Sequence, residues 1–400
     1  MPLPILSILL HAFVGWRLVP ALGFLPGAIV LAALLAVSSL TMPLGLGARR
    51  GGARRLGVDW AWVGLVAMGW FSSLFVLTVA RDVALLAAVA FDALRPGSLD
   101  VASLAEVSAR FAAIGAVLVT LWGFANARRT ARVRHVEVPV AGLAPGLDGF
   151  TIAQISDVHV GPTIKRPYVE AIVATVNRLD ADLVAVTGDL VDGSVAQLAE
   201  HVAPLAGLRS KEGSFFVTGN HEYYSGAAAW VRELRRLGLV VLMNEHVVVR
   251  RGDAALVVAG VTDYGAGQFD RAQASDPRSA LAGSPAGAFR LLLAHQPRSA
   301  DAAEAAGFDL QLSGHTHGGQ FWPWNLFVRL QQPFTAGLHR WRRLWVYTSR
   351  GTGYWGPPKR FGAPSEVTLV RLVARPAPAV SAAPTAAAPR PRVAESAPGA

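Results

Sequence analysis

Long apolar runs fill the first third of the chain and are absent from the rest. They cover residues 2–16, 21–46, 60–91 and 111–124. Only Arg81 and Asp82 interrupt the third run. A helix needs about 20 apolar residues to cross a bilayer. The pattern therefore predicts about four spanning helices within residues 1–126, or five if the third run crosses twice. The first run could instead be a signal peptide, but it lacks a basic start and a small-residue cleavage site.

Short apolar runs alternate with helical patterns from residue 150 onward. The predicted strands are 151–156, 182–187, 214–218, 290–294, 309–313, 344–348 and 366–373, with a hairpin at 247–251 and 255–260. The predicted helices are 167–179, 227–237 and 299–306. This alternation is typical of a layered α/β domain.

The change of pattern predicts four regions. Residues 1–126 form the membrane helices, 127–146 a basic juxtamembrane linker, 147–373 the α/β domain and 374–400 a disordered tail rich in alanine and proline. A tail of that composition cannot bury a core.

Composition supports a membrane location. Hydrophobic residues make up 52% of the chain and charged residues only 16%, well below the share usual in soluble proteins. The net charge of +10 suits anionic headgroups, whereas no nucleic-acid-binding motif accompanies it. The chain has no cysteine, which excludes disulfides and thiolate chemistry.

Polar residues gather where the predicted strands end. They are Asp157 and His159, Asp189, Asn220 and His221, His295, and His315 and His317. Alone, each is a weak signal, and a single histidine such as His295 is more often a core residue. Ligands bind outside the carboxyl ends of strands in open α/β sheets, and residues i and i+2 of an extended chain point the same way. The set therefore predicts a metal site.

These blocks resemble the calcineurin-like metallophosphoesterase superfamily. Its ordered pattern is Asp-x-His, Gly-Asp, Gly-Asn-His-Asp/Glu, a lone His and Gly-His-x-His, and all five blocks are present. The stretches 314–320 and 349–353 look like the membrane-associated bacterial branch, which is similar to UDP-2,3-diacylglucosamine pyrophosphatases. The resemblance covers about residues 141–373 and implies a four-layer α/β/β/α sandwich.

The resemblance also implies a role for each residue. One divalent metal ion would be held by Asp157, His159 and His317, and the other by Asn220, His295 and His315, with Asp189 bridging both. His221 would face the phosphate and protonate the leaving oxygen. Two such cations activate a water molecule for attack on phosphorus. The mixed nitrogen and oxygen ligands favour manganese, iron or zinc.

Three functions are compatible with this sequence. The first is hydrolysis of a phosphodiester or pyrophosphate in a lipid-linked substrate, which the membrane helices favour. The second is a nuclease or nucleotide phosphodiesterase, although nucleic acid is the less favoured partner. The third is a non-catalytic membrane sensor or scaffold, which the complete ligand set disfavours.

The segment 321–361 is rich in tryptophan and arginine and allows two interpretations. It could be an irregular cap over the active site, or a membrane-facing lip, because both residue types favour headgroup depth. The two are compatible.

Basic loops predict the topology. The loop with Arg49, Arg50, Arg54 and Arg55 and the stretch 128–134 are basic, whereas 95–110 carries several acids. Cytoplasmic loops are enriched in Lys and Arg. Four spans therefore give a multi-pass protein of the cell membrane with a cytoplasmic catalytic domain. A fifth span would reverse the alternation.

Overall fold

A computed structural model of the chain describes residues 2–48 and 57–376. The arginine cluster at residues 49–55 lies outside the described residues. The tail predicted for residues 374–400 lies outside them from residue 377 onward, and residues 374 and 375 belong to the last strand.

The apolar runs form four long helices. They are α1 Leu3–Leu18, α2 Leu25–Ala48, α3 Gly57–Leu94 and α4 Val101–Arg128. Within the described residues, four helices are long and apolar enough to cross a membrane. The third run is one continuous helix, and Arg17 of α1 donates to the Asp82 carboxylate within it at 2.8 Å. Charged side chains in membrane helices are usually paired in this way.

Helices α2 and α3 pack at very short range. A Cβ atom on Gly64 would overlap the backbone of Thr41 and Gly45 on the facing helix. Small residues at a helix contact let the backbones approach closely, and van der Waals packing is the main force between helices in lipid. This contact therefore fixes where the end of α2 lies.

The rest of the described chain contains twelve strands and six further helices. The strands are β1 Arg132–Ala141, β2 Thr151–Ile155, β3 Leu183–Val186, β4 Ser214–Phe216, β5 Val240–Val241, β6 Glu245–Arg251, β7 Ala254–Gly260, β8 Phe289–Leu293, β9 Leu310–Ser313, β10 Gly337–Trp341, β11 Leu344–Thr348 and β12 Glu366–Arg375. The helices are α5 Arg166–Asn177, α6 Val195–Val202, α7 Asn220–Ser225, α8 Ala227–Arg236, α9 Pro277–Ala280 and α10 Ala300–Ala306.

Two six-stranded sheets pack face to face. Their strand orders are β1-β12-β2-β3-β4-β5 and β10-β11-β9-β8-β7-β6. Fully buried side chains such as Ile152 and Phe215 of the first sheet meet Leu256 and Leu291 of the second. Helices α5, α6 and α8 cover the first sheet, and α9 and α10 cover the second. The four-layer α/β/β/α sandwich is therefore confirmed.

The stretch 127–146, predicted as a linker, contains a strand. Residues Arg132–Ala141 form the edge strand β1, which pairs in parallel with β12 from Arg132 opposite Glu366 to Ala141 opposite Arg375. The strand carries several polar residues because most of its positions are partly or fully exposed. Its partner lies more than 200 residues away in sequence, so local pattern gave no sign of the pairing.

Two adjacent basic residues connect the α/β domain to the membrane helices. The Lys359 ammonium lies between α3 and α4 and donates to the carbonyl of Gly69 at 2.8 Å and to the Ser73 hydroxyl. Burial lowers the pKa of Lys359 to about 8. The backbone N–H of Arg360 donates to the carbonyl of Gly123 on α4 at 2.8 Å. The domain is thus bound to the helices by specific polar contacts.

Candidate metal centre

The loops after the parallel strands meet at one edge of the sandwich and bring the first predicted ligand set together. Asp157, His159 and His317 each offer a ligand atom within 4.8 Å of the others. The Nε2 atoms of the two histidines are 3.0 Å apart, and His317 Nε2 is 3.5 Å from Asp157 Oδ1. The three side chains, two from the loop after β2 and one from the loop after β9, thus converge on one point.

Two members of the second predicted set, His295 and His315, meet beside the first group together with Asp189. These three side chains offer ligand atoms within 4.8 Å of one another. Asp189 Oδ2 lies 3.2 Å from His295 Nε2 and 3.8 Å from His159 Nε2, so this carboxylate stands between the two groups. The bridging role that the resemblance implies for Asp189 stays a prediction.

The backbone of the site is strained. Five of the eight predicted residues have positive φ angles between 51° and 70°, and these are Asp157, His159, Asp189, His315 and His317. Left-handed conformations are uncommon outside glycine and cluster at functional sites. Gly219 has no room for a side chain, because a Cβ atom there would overlap the Asp189 carboxylate. The loops therefore adopt a strained backbone that brings these side chains into the site.

The predicted ligands lie in an environment that shifts their pKa values. Burial would raise the pKa of Asp189, but His295 and His221 beside it hold that pKa well below its ordinary value. Burial lowers the pKa of His315 to about 3, and burial together with Arg360 holds the pKa of His317 well below its usual range. Burial would lower the pKa of His295, but Asp189 beside it holds that pKa well above its ordinary value. Metal ligands must be deprotonated, so a bound ion would displace the proton from His295.

Unpaired oxygen atoms give a direct test of fit to a metal ion. Asp157 Oδ2 and Asn220 Oδ1 are buried and find no hydrogen-bond partner in the described part of the chain. A buried polar atom without a partner is costly, and it usually marks a bound ion or water. The carboxylates, imidazoles and amide oxygen of this site therefore fit a divalent transition-metal cation.

His221 is held by a residue that the sequence prediction missed. Its Nδ1 atom lies 2.5 Å from Asp192 Oδ1, and the same oxygen lies 3.1 Å from His159 Nδ1. Asp192 therefore orients both imidazoles and leaves their Nε2 atoms towards the site. The available signal was its place three residues after Asp189 in the same loop.

Glu222 is a second residue that the prediction left without a role. This fully buried carboxylate accepts hydrogen bonds from the backbone N–H groups of Asp189, Leu190 and Gly219. It ties the loop after β3 to the loop after β4. The signal was its place directly after His221.

The other histidines lie outside the site. His11 is inside the helix bundle, where its Nε2 lies 2.9 Å from the Ser38 hydroxyl. His246 and His339 contact backbone carbonyls of Ala280 and Ala336. His135 lies on the exposed face of β1, and His201 lies on α6.

A cavity of about 880 Å³ opens beside His221. On one side it is lined by Asp192, Tyr224 and Trp355, next to the catalytic loops. On the other it is lined by the ends of two membrane helices, through Leu3 of α1 and Pro43, Leu46 and Gly47 of α2. The cavity therefore extends from polar residues beside the metal site to an apolar rim formed by the ends of the membrane helices.

The sequence matches known proteins. Residues 150–319 match the family model described as calcineurin-like phosphoesterase. Proteins named transmembrane protein with metallophosphoesterase domain, from Bos taurus and Danio rerio, are 38% and 36% identical over 70% and 64% of this chain. The matches span 66% and 60% of those relatives' own lengths. A metallophosphoesterase of Aquifex aeolicus is 33% identical over 60% of this chain and 91% of its own.

Proposed function

The chain belongs to the calcineurin-like phosphoesterase family of metal-dependent hydrolases of phosphoric esters, and we propose that it hydrolyses a phosphodiester or pyrophosphate in a lipid-linked substrate. The observation that carries the proposal is the cavity that runs from His221 to the ends of α1 and α2. A substrate that places its phosphate at the metal centre can keep its hydrocarbon chain on the Leu3 and Leu46 side of this cavity. A water-soluble phosphoester would need no such apolar wall.

The chain's own residues supply the other parts of catalysis. Asp157, His159, Asp189, Asn220, His295, His315 and His317 would hold two divalent ions. Such ions stabilise charge on phosphoryl oxygens and lower the pKa of water when bound. His221, oriented by Asp192, presents Nε2 to the substrate and can give a proton to the leaving oxygen. The apolar rim of the cavity orients a lipid headgroup and excludes water from one side of it.

A change at the cavity rim tests the lipid substrate. Leu46→Trp should lower turnover of UDP-diacylglucosamine or a phospholipid in vesicles by roughly tenfold or more, because the indole narrows the path for the chain. Turnover of the water-soluble diester bis-p-nitrophenyl phosphate should stay near that of the unchanged protein. The matched control is Leu40→Trp on the same helix, since Leu40 is exposed and does not line the cavity.

Two results would contradict the lipid proposal. One is a full-length protein that cleaves DNA or free nucleotides efficiently and lipid-linked substrates not at all. The other is an equal effect of Leu46→Trp and Leu40→Trp on the lipid reaction. A protein that binds metal and turns over none of these substrates would favour a sensor or scaffold.

We further propose that the catalytic domain is cytoplasmic. Leu3 at the start of α1 lines the same cavity as His221, which supports an even number of crossings before the domain. The basic residues Arg128, Arg129, Arg132 and Arg134 follow the last helix directly, and basic flanks favour the cytoplasmic side.

The absence of cysteine allows a direct test of this topology. A cysteine at the exposed Arg209 of the catalytic domain should react with a membrane-impermeant maleimide only after cell lysis. A cysteine at the exposed Ser98, in the loop between α3 and α4, should react in intact cells. The opposite labelling pattern would place the domain outside.

A further inference from the structure

The segment that follows His317 carries a patch of exposed apolar side chains. Its members are Trp322, Trp324, Leu326, Phe327 and Leu330, with exposed fractions between 44% and 81%. Together they are called the lip below. The segment folds as two short 3₁₀ turns, Trp324–Leu326 and Val328–Leu330. Arg329 is the one charged residue in the stretch 321–332. An exposed apolar surface of this kind usually marks a site of contact with another protein or with a membrane.

The lip lies against a membrane-spanning helix. Trp324 Nε1 donates to the hydroxyl of Ser72 on α3 at 3.0 Å. One turn of α3 away, the Gly69 carbonyl accepts from Lys359, whose ammonium lies 5.0 Å from the centre of the Phe321 ring. The apolar surface of the lip is therefore continuous with that of the bundle.

The depth of these contacts coincides with a membrane boundary. Ser72 lies 22 residues before Leu94, the far end of α3, which corresponds to about 33 Å of helix. Thr120 on α4, next to Lys359, lies 19 residues after Val101, or about 29 Å. The hydrocarbon core of a bilayer is about 30 Å thick. Both helices therefore reach the domain-side boundary of the hydrocarbon beside Lys359, and the lip touches α3 at that depth.

We propose that the lip inserts into the domain-side leaflet and holds the metal centre at headgroup level. The occupant of this surface is the lipid bilayer itself, because the lip adjoins helices that already lie in it. Tryptophan is enriched at this depth, where its ring is apolar and its N–H group can donate. The lip begins five residues after the ligand residue His317, so its insertion fixes the distance between that ligand and the membrane. The proposal is independent of the substrate.

Quenching of a fluorophore by spin-labelled lipids, measured in the full-length protein, tests the insertion of the lip. A single cysteine at Leu330, the most exposed member of the lip, would carry an environment-sensitive fluorophore, with the protein in vesicles of neutral and anionic phospholipid. Its emission should shift to the blue, and lipids with a spin label near the headgroup should quench it. The matched control is Val240→Cys, because Val240 is also apolar and exposed but lies on β5, at the opposite sheet edge from β1.

The comparison of the two positions decides the matter. We expect spin-labelled lipid to quench the label at position 330 several times more strongly than the label at position 240, and aqueous iodide to do the reverse. Turnover of bis-p-nitrophenyl phosphate confirms that both labelled proteins are folded. Equal quenching by lipid at the two positions, with free access of iodide to position 330, would overturn the proposal. If labelling at Leu330 abolishes turnover, the same measurement at Leu326 replaces it.

Discussion

Replacement of Asp189 by alanine is expected to abolish hydrolysis and to release bound metal. The carboxylate stands between the two ligand groups, 3.2 Å from His295 and 3.8 Å from His159, so its loss affects both. The loss of activity should exceed the roughly 10–100-fold that removal of a second-sphere partner costs. Elemental analysis of the purified protein, alongside turnover of bis-p-nitrophenyl phosphate, measures both effects. Asn220→Ala should act in the same direction, because Asn220 Oδ1 is buried without a partner among the described residues.

The control for Asp189 is another buried aspartate at the opposite end of the same strand. Asp182 precedes β3 and accepts hydrogen bonds from Thr151 and Lys211, far from the metal centre. Asp182→Ala should reduce the stability of the protein to unfolding but leave the metal content of the folded protein unchanged. Equal loss of metal in both variants would show that Asp189 acts through folding alone.

His221→Ala should keep the metal and lose turnover, by roughly 10²–10⁴-fold for a general acid. The difference follows from distances in the site. His221 Nδ1 lies 2.5 Å from Asp192 Oδ1, and its Nε2 lies 3.9 Å from Asp189 Oδ2, whereas His295 Nε2 lies only 3.2 Å from that oxygen. The loss should be smaller for a p-nitrophenyl ester, whose leaving group needs little protonation, than for an alkyl ester. Steady-state rates on the two esters measure this difference.

The control for His221 is the exposed His135 on β1, whose replacement by alanine should change neither metal content nor rate. Metal loss in His221→Ala as severe as in Asn220→Ala would refute the separate role of His221. A loss of rate that is the same for both esters would argue against proton transfer by this side chain.

Residues that follow buried strands were the most predictable part of this protein. Strands such as β3 are wholly buried, so their apolar runs are clear, and the polar residue after each run stands out. The carboxyl ends of parallel strands share one sheet edge, so the meeting of Asp157 and Asp189 followed from fold class and order. The four spanning helices were predictable for a similar reason, because length and apolarity are local properties.

Features that depend on distant partners were not predictable. Strand β1 is recognisable only through its pairing with β12. Strand β10 carries the partly exposed Trp341 and His339 and is recognisable only through its pairing with β11. The hydrogen bonds of Asp192 and Glu222 depend on how neighbouring loops fold back, which spacing alone does not give. The depth of Lys359 between two helices likewise follows from docking of the domain, because lysine in a loop is ordinarily a surface residue.

Lys359 and Arg360 connect the membrane helices to the metal site over a very short stretch of chain. Lys359 donates a hydrogen bond to the carbonyl of Gly69 on α3. The Arg360 guanidinium lies 3.1 Å from Nδ1 of His317, a predicted metal ligand, and donates to the carbonyl of His317. Consecutive residues make these contacts, so one peptide bond and the hydrogen bonds on either side of it connect the helix bundle to the metal-binding loop. We expect a detergent that moves α3 relative to α4 to disturb that loop as well, so that rates measured in micelles and in bilayers differ.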